Sequence, residues 1–177
     1  SSASNAVTPA TVPGAPTNVY ATAGNTQATV TWTAPASTGG SAITGYTVTA
    51  SPGGQTATWS SGNLTATVTG LTNGTSYTFT VTAANANGNS AASSASNPVT
   101  PVTVPGTPTN VSATAGDTQA TITWTAPSST GGSTITGYFV TASPGGQTAT
   151  WSGGNLTATV TELTNGTSYS FAVTATN

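Results

Sequence analysis

The chain has 177 residues, contains no Lys, Arg, His, Cys or Met, and carries side-chain charge only on Asp117 and Glu162. Because it has no cation to pair with phosphate or anionic lipid, this composition excludes nucleic-acid binding and an electrostatic hold on membranes. The missing residue types also exclude disulfides, thiolate metal sites and nucleophilic catalysis by His, Lys or Cys, so we expect no enzyme, metal or cofactor.

A long internal repeat organises the chain. Residues 93–177 repeat residues 1–85 at a constant offset of 92, and 71 of the 85 aligned positions are identical. Such self-similarity is typical of a tandem array of folded units. The phase of the repeat predicts a first domain at 10–101 and a second at 102–177. Residues 1–9 would then be an orphan strand that completes a neighbouring domain.

Short Thr- and Val-rich segments of alternating polarity, separated by Gly and Pro, predict half-buried antiparallel strands. No apolar run approaches the roughly 18 residues of a membrane span. In each copy one face of every strand is apolar, and this face is buried only if two sheets close on each other. The strands predicted in the first copy, lettered A, B, C, C′, E, F and G, are residues 17–23, 27–34, 43–50, 55–60, 63–71, 76–85 and about 93–100.

Several motifs of the first copy, repeated in the second, resemble the fibronectin type III domain. The resemblance implies an all-β fold of two tandem immunoglobulin-like (fibronectin type III) β-sandwiches, with sheets A-B-E and C-C′-F-G and a tyrosine corner at Tyr77 and Tyr169. It also implies an extracellular protein of the bacterial secreted or cell-surface kind. The motifs are Pro13-Gly14-x-Pro16, Trp32, Gly45-Tyr46-x-Val48 and Leu71-x-Asn73-Gly74-Thr75-x-Tyr77-x-Phe79-x-Val81.

The second copy lacks its own G strand, and residues 1–9 differ from the true G region, 93–101, only at Ala6 against Pro98. An open edge beside strand F would expose unpaired backbone groups. Three explanations remain: a window on a longer covalent array, donation of residues 1–9 to another molecule, or a truncated domain. The residues expected to take part are the donors Ser1, Ala3, Asn5 and Val7 and the acceptors Phe171, Val173 and Ala175.

The two carboxylates and four tryptophans are the other candidates for chemistry. Asp117 and Glu162 are expected at turns on the same pole of the second domain, as solvated residues rather than an acid–base pair or a calcium site. Trp59 and Trp151, in strand C′, either stack on a sugar ring or pack against the neighbouring hairpin residue, and packing is favoured. Trp32 and Trp124 are expected in the two cores.

Two aromatic residues and five asparagines complete the set. Tyr20 and Phe139 each replace a small residue of the other copy on an outward face, which suggests contacts between domains or subunits. Asparagines in Asn-x-Ser/Thr sequences are candidates for glycan attachment, although Asn73 and Asn165 also suit turns before Gly. These asparagines are Asn63, Asn73, Asn110, Asn155 and Asn165.

These features favour an extracellular structural protein, the repeat unit of a surface filament or fibre assembled head to tail from copies of itself. The alternative is a spacer or carbohydrate-binding accessory module of a secreted glycan-degrading enzyme, in which case glycans are partners. Neither interpretation involves nucleic acid or membrane insertion.

Overall fold

The computed structural model describes residues 2–59, 61–151 and 153–177. Ser1 and Ser60, which fall in the predicted donor segment and in predicted strand C′, lie outside these residues. The described chain contains strands and turns but no helix, and therefore no helix long and apolar enough to cross a membrane. It divides into two compact units, the second of which is Thr103–Asn177. The predicted all-β fold class is confirmed.

The first unit is a sandwich of two antiparallel sheets. One sheet has the order β1-β2-β5 and the other has the order β4-β3-β6-β7. These correspond to the expected A-B-E and C-C′-F-G sheets, except at the last strand. The strands are β1 (Thr17–Ala23), β2 (Gln27–Thr33), β3 (Ile43–Ser51), β4 (Thr56–Trp59), β5 (Thr65–Thr69), β6 (Thr78–Asn85) and β7 (Gly88–Asn89).

Alternation along the strands places the core of the first unit between its sheets. Every second residue of β2 and β6 is buried, and Val30, Val81 and Phe79 are fully enclosed. Trp32 packs on Tyr46 with ring centroids 5.3 Å apart. The Tyr77 hydroxyl accepts a hydrogen bond from the backbone N–H of Thr72 at 3.0 Å, which is the expected tyrosine corner.

The second unit repeats this architecture, and its described residues form six strands. Its sheets have the orders β12-β9-β8 and β11-β10-β13. Ile122 and Val140 are fully buried, and Trp124 packs on Tyr138 at 5.3 Å. The strands are β8 (Thr109–Gly116), β9 (Gln119–Thr125), β10 (Gly137–Ser143), β11 (Thr148–Thr150), β12 (Thr157–Val160) and β13 (Ser170–Thr176).

In both units, an asparagine at the end of the F strand donates hydrogen bonds to two loops. This residue is Asn85 in the first unit and Asn177 in the second. The Asn85 Nδ2 donates to the carbonyl oxygens of Thr11 and Thr38 at 2.8 and 2.9 Å. Gly39 has a φ of 74°, and a Cβ there would lie 2.3 Å from the Thr11 carbonyl oxygen. This crossing of two loops therefore requires glycine.

The predicted strand G is wrong as a regular strand. Residues 93–100 form no ladder with alternating inward side chains, and their only β-bridge joins Val99 to Tyr77. Between residues 90 and 100 the buried residues are Ser90, Ser93 and Ser96, which recur every third residue. The physical reason lies in the serine side chains, which form part of the edge hydrogen bonding.

Candidate functional site

The edge of strand β6 is covered by a serine ladder, which we define as Ser90, Ser93 and Ser96 hydrogen-bonded to that strand. Each serine donates its backbone N–H to a β6 carbonyl oxygen, as Ser93 does to Val81 at 2.9 Å. Its hydroxyl oxygen accepts the N–H of the same β6 residue, also at 2.9 Å for this pair. The serine hydroxyl thus replaces the carbonyl acceptor of an ordinary ladder. The other two pairs are Ser90 with Ala83 and Ser96 with Phe79.

The serine ladder uses three residues of the covering segment for every two residues of β6. Successive serines are three residues apart, whereas their partners on β6 are two apart. Two strand residues span about 6.6 Å, so the covering segment advances only about 2.2 Å per residue. Each step therefore contains one extra residue, as in a β-bulge. The serine hydroxyl closes the gap by donating to the next carbonyl, for example from Ser93 to Ser94 at 2.8 Å.

The same segment also bonds to the opposite sheet. The Asn97 side chain accepts the backbone N–H of Ala21 at 2.9 Å and donates to its carbonyl oxygen at 3.0 Å. Val99 exchanges two backbone hydrogen bonds with Tyr77 and packs against the core. The Pro101 carbonyl oxygen accepts the Gly74 N–H at 2.9 Å. Residues 90–101 therefore close the first sandwich between β1 and β6.

The equivalent position in the second unit is an open groove. Among the described residues, none forms the counterpart of the serine ladder on β13 or of the Asn97 bonds on β8. Ala113 is exposed where its counterpart Ala21 is 1% exposed, and Phe171 is half-buried where Phe79 is fully enclosed. We call this cavity of about 270 Å³ the acceptor groove; its apolar lining includes Ala113, Ala115, Leu163, Tyr169 and Phe171.

The predicted acceptor residues occupy two kinds of position. Phe171 lines the acceptor groove, and Ala175 lines a second cavity of about 190 Å³ further along the same strand, together with Val173. At the other end of the groove, the Thr164 backbone N–H donates to the Tyr169 hydroxyl at 3.1 Å and lowers the pKa of Tyr169. The tyrosine corner is therefore formed without a covering segment.

The predicted donor residues lie in an exposed segment. Ala3, Asn5 and Val7 are all exposed, and Val7 has 78% of its surface accessible. Their role stays a prediction. Sequence reasoning spaced the donor residues by two, whereas the covering segment of the first unit contacts β6 every third residue. The signal that sequence reasoning missed was the Ser-x-x-Ser-x-x-Ser pattern at residues 90–96.

The two carboxylates lie at turns on the same pole, as expected. The Asp117 Oδ1 accepts a hydrogen bond from the Asn165 side chain at 2.8 Å, and Asn25 accepts the same bond from Asn73 in the first unit. Glu162 has a φ of 62°, where the first unit has Gly70. No cluster of three His, Cys, Asp or Glu residues exists in the described chain. The structure does not bring these carboxylates into a cleft.

The C′ tryptophans pack into their hairpins. The Trp59 Nε1 donates to the Asn63 carbonyl oxygen at 2.7 Å, and the ring meets Tyr46 edge-on with centroids 5.0 Å apart. Trp151 makes the same bond to Asn155 at 3.0 Å. Both indoles are half-buried against their cores.

The remaining candidate residues are on the surface. Tyr20 is 59% exposed and Phe139 is 40% exposed. Phe139 lies opposite Thr174 across the β10–β13 ladder. Asn63 and Asn155 are exposed, as glycan attachment requires. Contacts and glycosylation at these positions stay predictions.

Comparisons with known proteins agree with this fold. The model of the fibronectin type III domain matches residues 14–99 and 106–177. Endoglucanase B of Cellulomonas fimi is 40% identical over 164 residues, which are 85% of this chain and 15% of that protein. Chitinase A1 of Niallia circulans is 42% identical over 175 residues, 93% of this chain and 24% of that protein. The chain thus spans less than a quarter of the length of either relative.

The solved structures similar to this chain include domains of titin and of chicken CNTN1. Titin domains A168–A170 are 35% identical with a TM-score of 0.46, covering 51% of this chain and 32% of the titin chain. Domains FN1–FN3 of chicken CNTN1 are 20% identical with a TM-score of 0.41, covering 96% of this chain and 64% of theirs. The family match extends over both sandwiches. The chain therefore belongs to the fibronectin type III family and carries two tandem domains of it.

Proposed function

We propose that this chain is a non-catalytic tandem spacer module of a secreted protein that acts on polysaccharide. The observation that carries the proposal is the pair of relatives, named as an endoglucanase and a chitinase, which align over most of this chain. Glucan and chitin polymers are too large to enter a cell, and from this we infer an extracellular location. The filament subunit expected first from the sequence receives no support from these relatives.

Two physical features support a spacer. Each unit has an apolar core, and the chain has almost no surface charge, so it has little tendency to bind charged surfaces. The C′ indoles are held edge-on to a tyrosine and hydrogen-bonded within their own hairpins. This packing favours a spacer over a carbohydrate-binding module, which needs an aromatic face open to the sugar.

A domain graft tests the spacer role. Residues 1–177 would be placed between the catalytic and cellulose-binding domains of an endoglucanase, with a Gly/Ser linker of equal residue number as the matched control. We expect equal rates on soluble substrate and a higher rate on insoluble cellulose with the graft. Equal rates of the two fusions on both substrates would count against a spacer.

Co-sedimentation of the isolated chain with cellulose and chitin tests the competing role. A spacer stays in the supernatant. If the chain sediments with the polysaccharide and the Trp59→Ala/Trp151→Ala double variant does not, the chain is a carbohydrate-binding module and not a spacer.

A further inference from the structure

The acceptor groove has a defined chemical requirement, because the first domain shows the same groove filled. There, backbone N–H groups of β6 donate to serine hydroxyls, and the backbone of Ala21 pairs with an asparagine amide. Val99 packs beside Tyr77 against the core. The second domain presents the same strand positions at Phe171, Val173 and Ala113. A fitting ligand is therefore a segment with the pattern Ser-x-x-Ser-Asn-x-Val, as in residues 93–99.

Residues 1–9 of the chain have this pattern. They align without a gap with residues 93–101, and eight of the nine positions are identical. The one difference replaces Pro98 with Ala6, and Pro98 is exposed in the first domain, where its ring makes no part of the closure. Of the residues that close the first sandwich, those between positions 93 and 101 are all kept. Their counterparts are Ser1 for Ser93, Ser4 for Ser96, Asn5 for Asn97, Val7 for Val99 and Pro9 for Pro101.

The segment is also accessible for binding. Residues 2–9 are exposed and belong to no strand, and Val7 is the most exposed large apolar side chain of the described chain. Burying a valine side chain is favourable by roughly 1.5–3 kcal/mol. An exposed apolar residue and an open apolar groove thus occur on one polypeptide.

We propose that the acceptor groove of the second domain binds residues 1–9 of a second copy of this chain, with the three-residue period of the serine ladder. Ser4 pairs with Phe171, and Val7 fills the groove beside Tyr169. The Asn5 amide pairs with the backbone of Ala113. Because the two surfaces differ, the contact is heterologous and links copies head to tail. This inference is independent of the spacer role.

Peptide binding to the full 177-residue chain tests the groove. The probe is a synthetic peptide with the sequence of residues 93–101, and the readout is amide hydrogen exchange. We expect slower exchange at Phe171 and Val173 and unchanged exchange on β6. The matched control peptide carries Ala at the positions of Ser93 and Ser96, and it should protect these amides at least about tenfold less, because their acceptors are removed.

Light scattering of the chain tests association between copies. We expect the mass to rise above the monomer value of 17.0 kDa with concentration, and the peptide to reverse this rise. Val7→Asp in the exposed segment should weaken association at least about tenfold without disturbing the fold. Ser2→Ala is the control, since Ser2 corresponds to the exposed Ser94. With so few charges, added salt should leave association unchanged.

Several outcomes would overturn the proposal. One is association that is as strong in Val7→Asp as in the unmodified chain. Another is protection by the control peptide equal to that by the probe, since the serine hydroxyls would then have no role. A third is a mass that stays at the monomer value while Phe171 and Val173 are protected without added peptide, since residues 1–9 would then occupy the groove of their own chain.

Discussion

Single residues that differ between the two copies act as internal substitution experiments. Asn25 accepts a hydrogen bond from the Asn73 side chain, and Asp117 accepts the same bond from Asn165. Replacing asparagine with aspartate at this position therefore leaves the turn unchanged. Glu162 is different, because it adopts the left-handed backbone conformation that Gly70 adopts in the first domain. A residue with a Cβ is strained in this region by about 1–2 kcal/mol.

We therefore expect Glu162→Gly to stabilise the second domain by about 1 kcal/mol, since it removes this backbone strain. Urea unfolding followed by hydrogen exchange would measure the change for each domain. The reciprocal Gly70→Glu should destabilise the first domain by a similar amount. A lower midpoint for Glu162→Gly would show that the glutamate side chain makes a compensating interaction.

Tyr46 gives the first domain a dependence on alkaline pH. Burial raises the pKa of Tyr46 above the ordinary value of 10.0, so the folded state keeps its proton to higher pH than the unfolded state. The stabilisation is complete below pH 10 and is lost as pH rises through the folded pKa. We expect the unfolding free energy of the first domain to fall as the pH rises above 10.

The Tyr46→Phe variant should have a shallower decline over the same range, measured by urea unfolding at several pH values. Tyr169→Phe is the matched comparison, because the pKa of Tyr169 is lowered and its removal should change the slope of the second domain in the opposite sense. Equal slopes for the Tyr46→Phe and unmodified proteins would show that Tyr46 ionises equally in both states.

At the scale of one element, the segment over β6 depends on side chains for its backbone hydrogen bonding. Ser93→Ala should destabilise the first domain by about 1–3 kcal/mol, because the Val81 N–H would remain buried without an acceptor. Ser94→Ala is the control, since Ser94 is exposed and should change stability by less than about 0.5 kcal/mol. Chemical denaturation measures both. Equal effects would mean that the serine hydroxyl is not the essential acceptor.

The segment also shows where element prediction from sequence ended. The positions of the first six strands and the inward faces of β2, β3 and β6 followed from alternation, because these strands have one buried side. Residues 90–99 have no such alternation, and their conformation follows from the spacing of partners on β6. Propensity indicated a strand there. The hydroxyls of Ser90, Ser93 and Ser96 allow every three residues of this segment to pair with two residues of β6.

At the scale of the whole molecule, the two domains are nearly identical in sequence but differ at one edge. This edge is covered in the first domain and forms the acceptor groove in the second. Ala21, Tyr77 and Phe79 are buried in the first domain, whereas their counterparts in the second are exposed or half-buried. Less apolar surface is therefore removed from water in the second domain.

We expect the chain at low concentration to unfold in two transitions, the lower one belonging to residues 103–177. Hydrogen exchange across a urea series would assign each transition to its domain. The peptide with the sequence of residues 93–101 should raise only the lower midpoint, because a ligand of the folded state stabilises that state. A single transition for both domains would contradict the expected difference.

The sequence by itself determined two near-identical all-β repeats and the inward faces of their strands. These follow from the repeat and from alternating polarity, which are local properties of the chain. The sheet order and the tyrosine corners were implied by the resemblance to the fibronectin type III domain. Only the tertiary structure decided how the sandwich edge is closed. The serine hydroxyls act as acceptors there because they lie opposite the free N–H groups of β6. The groove of the second domain, and the three-residue period of the segment that fits it, became visible only beside the filled groove of the first.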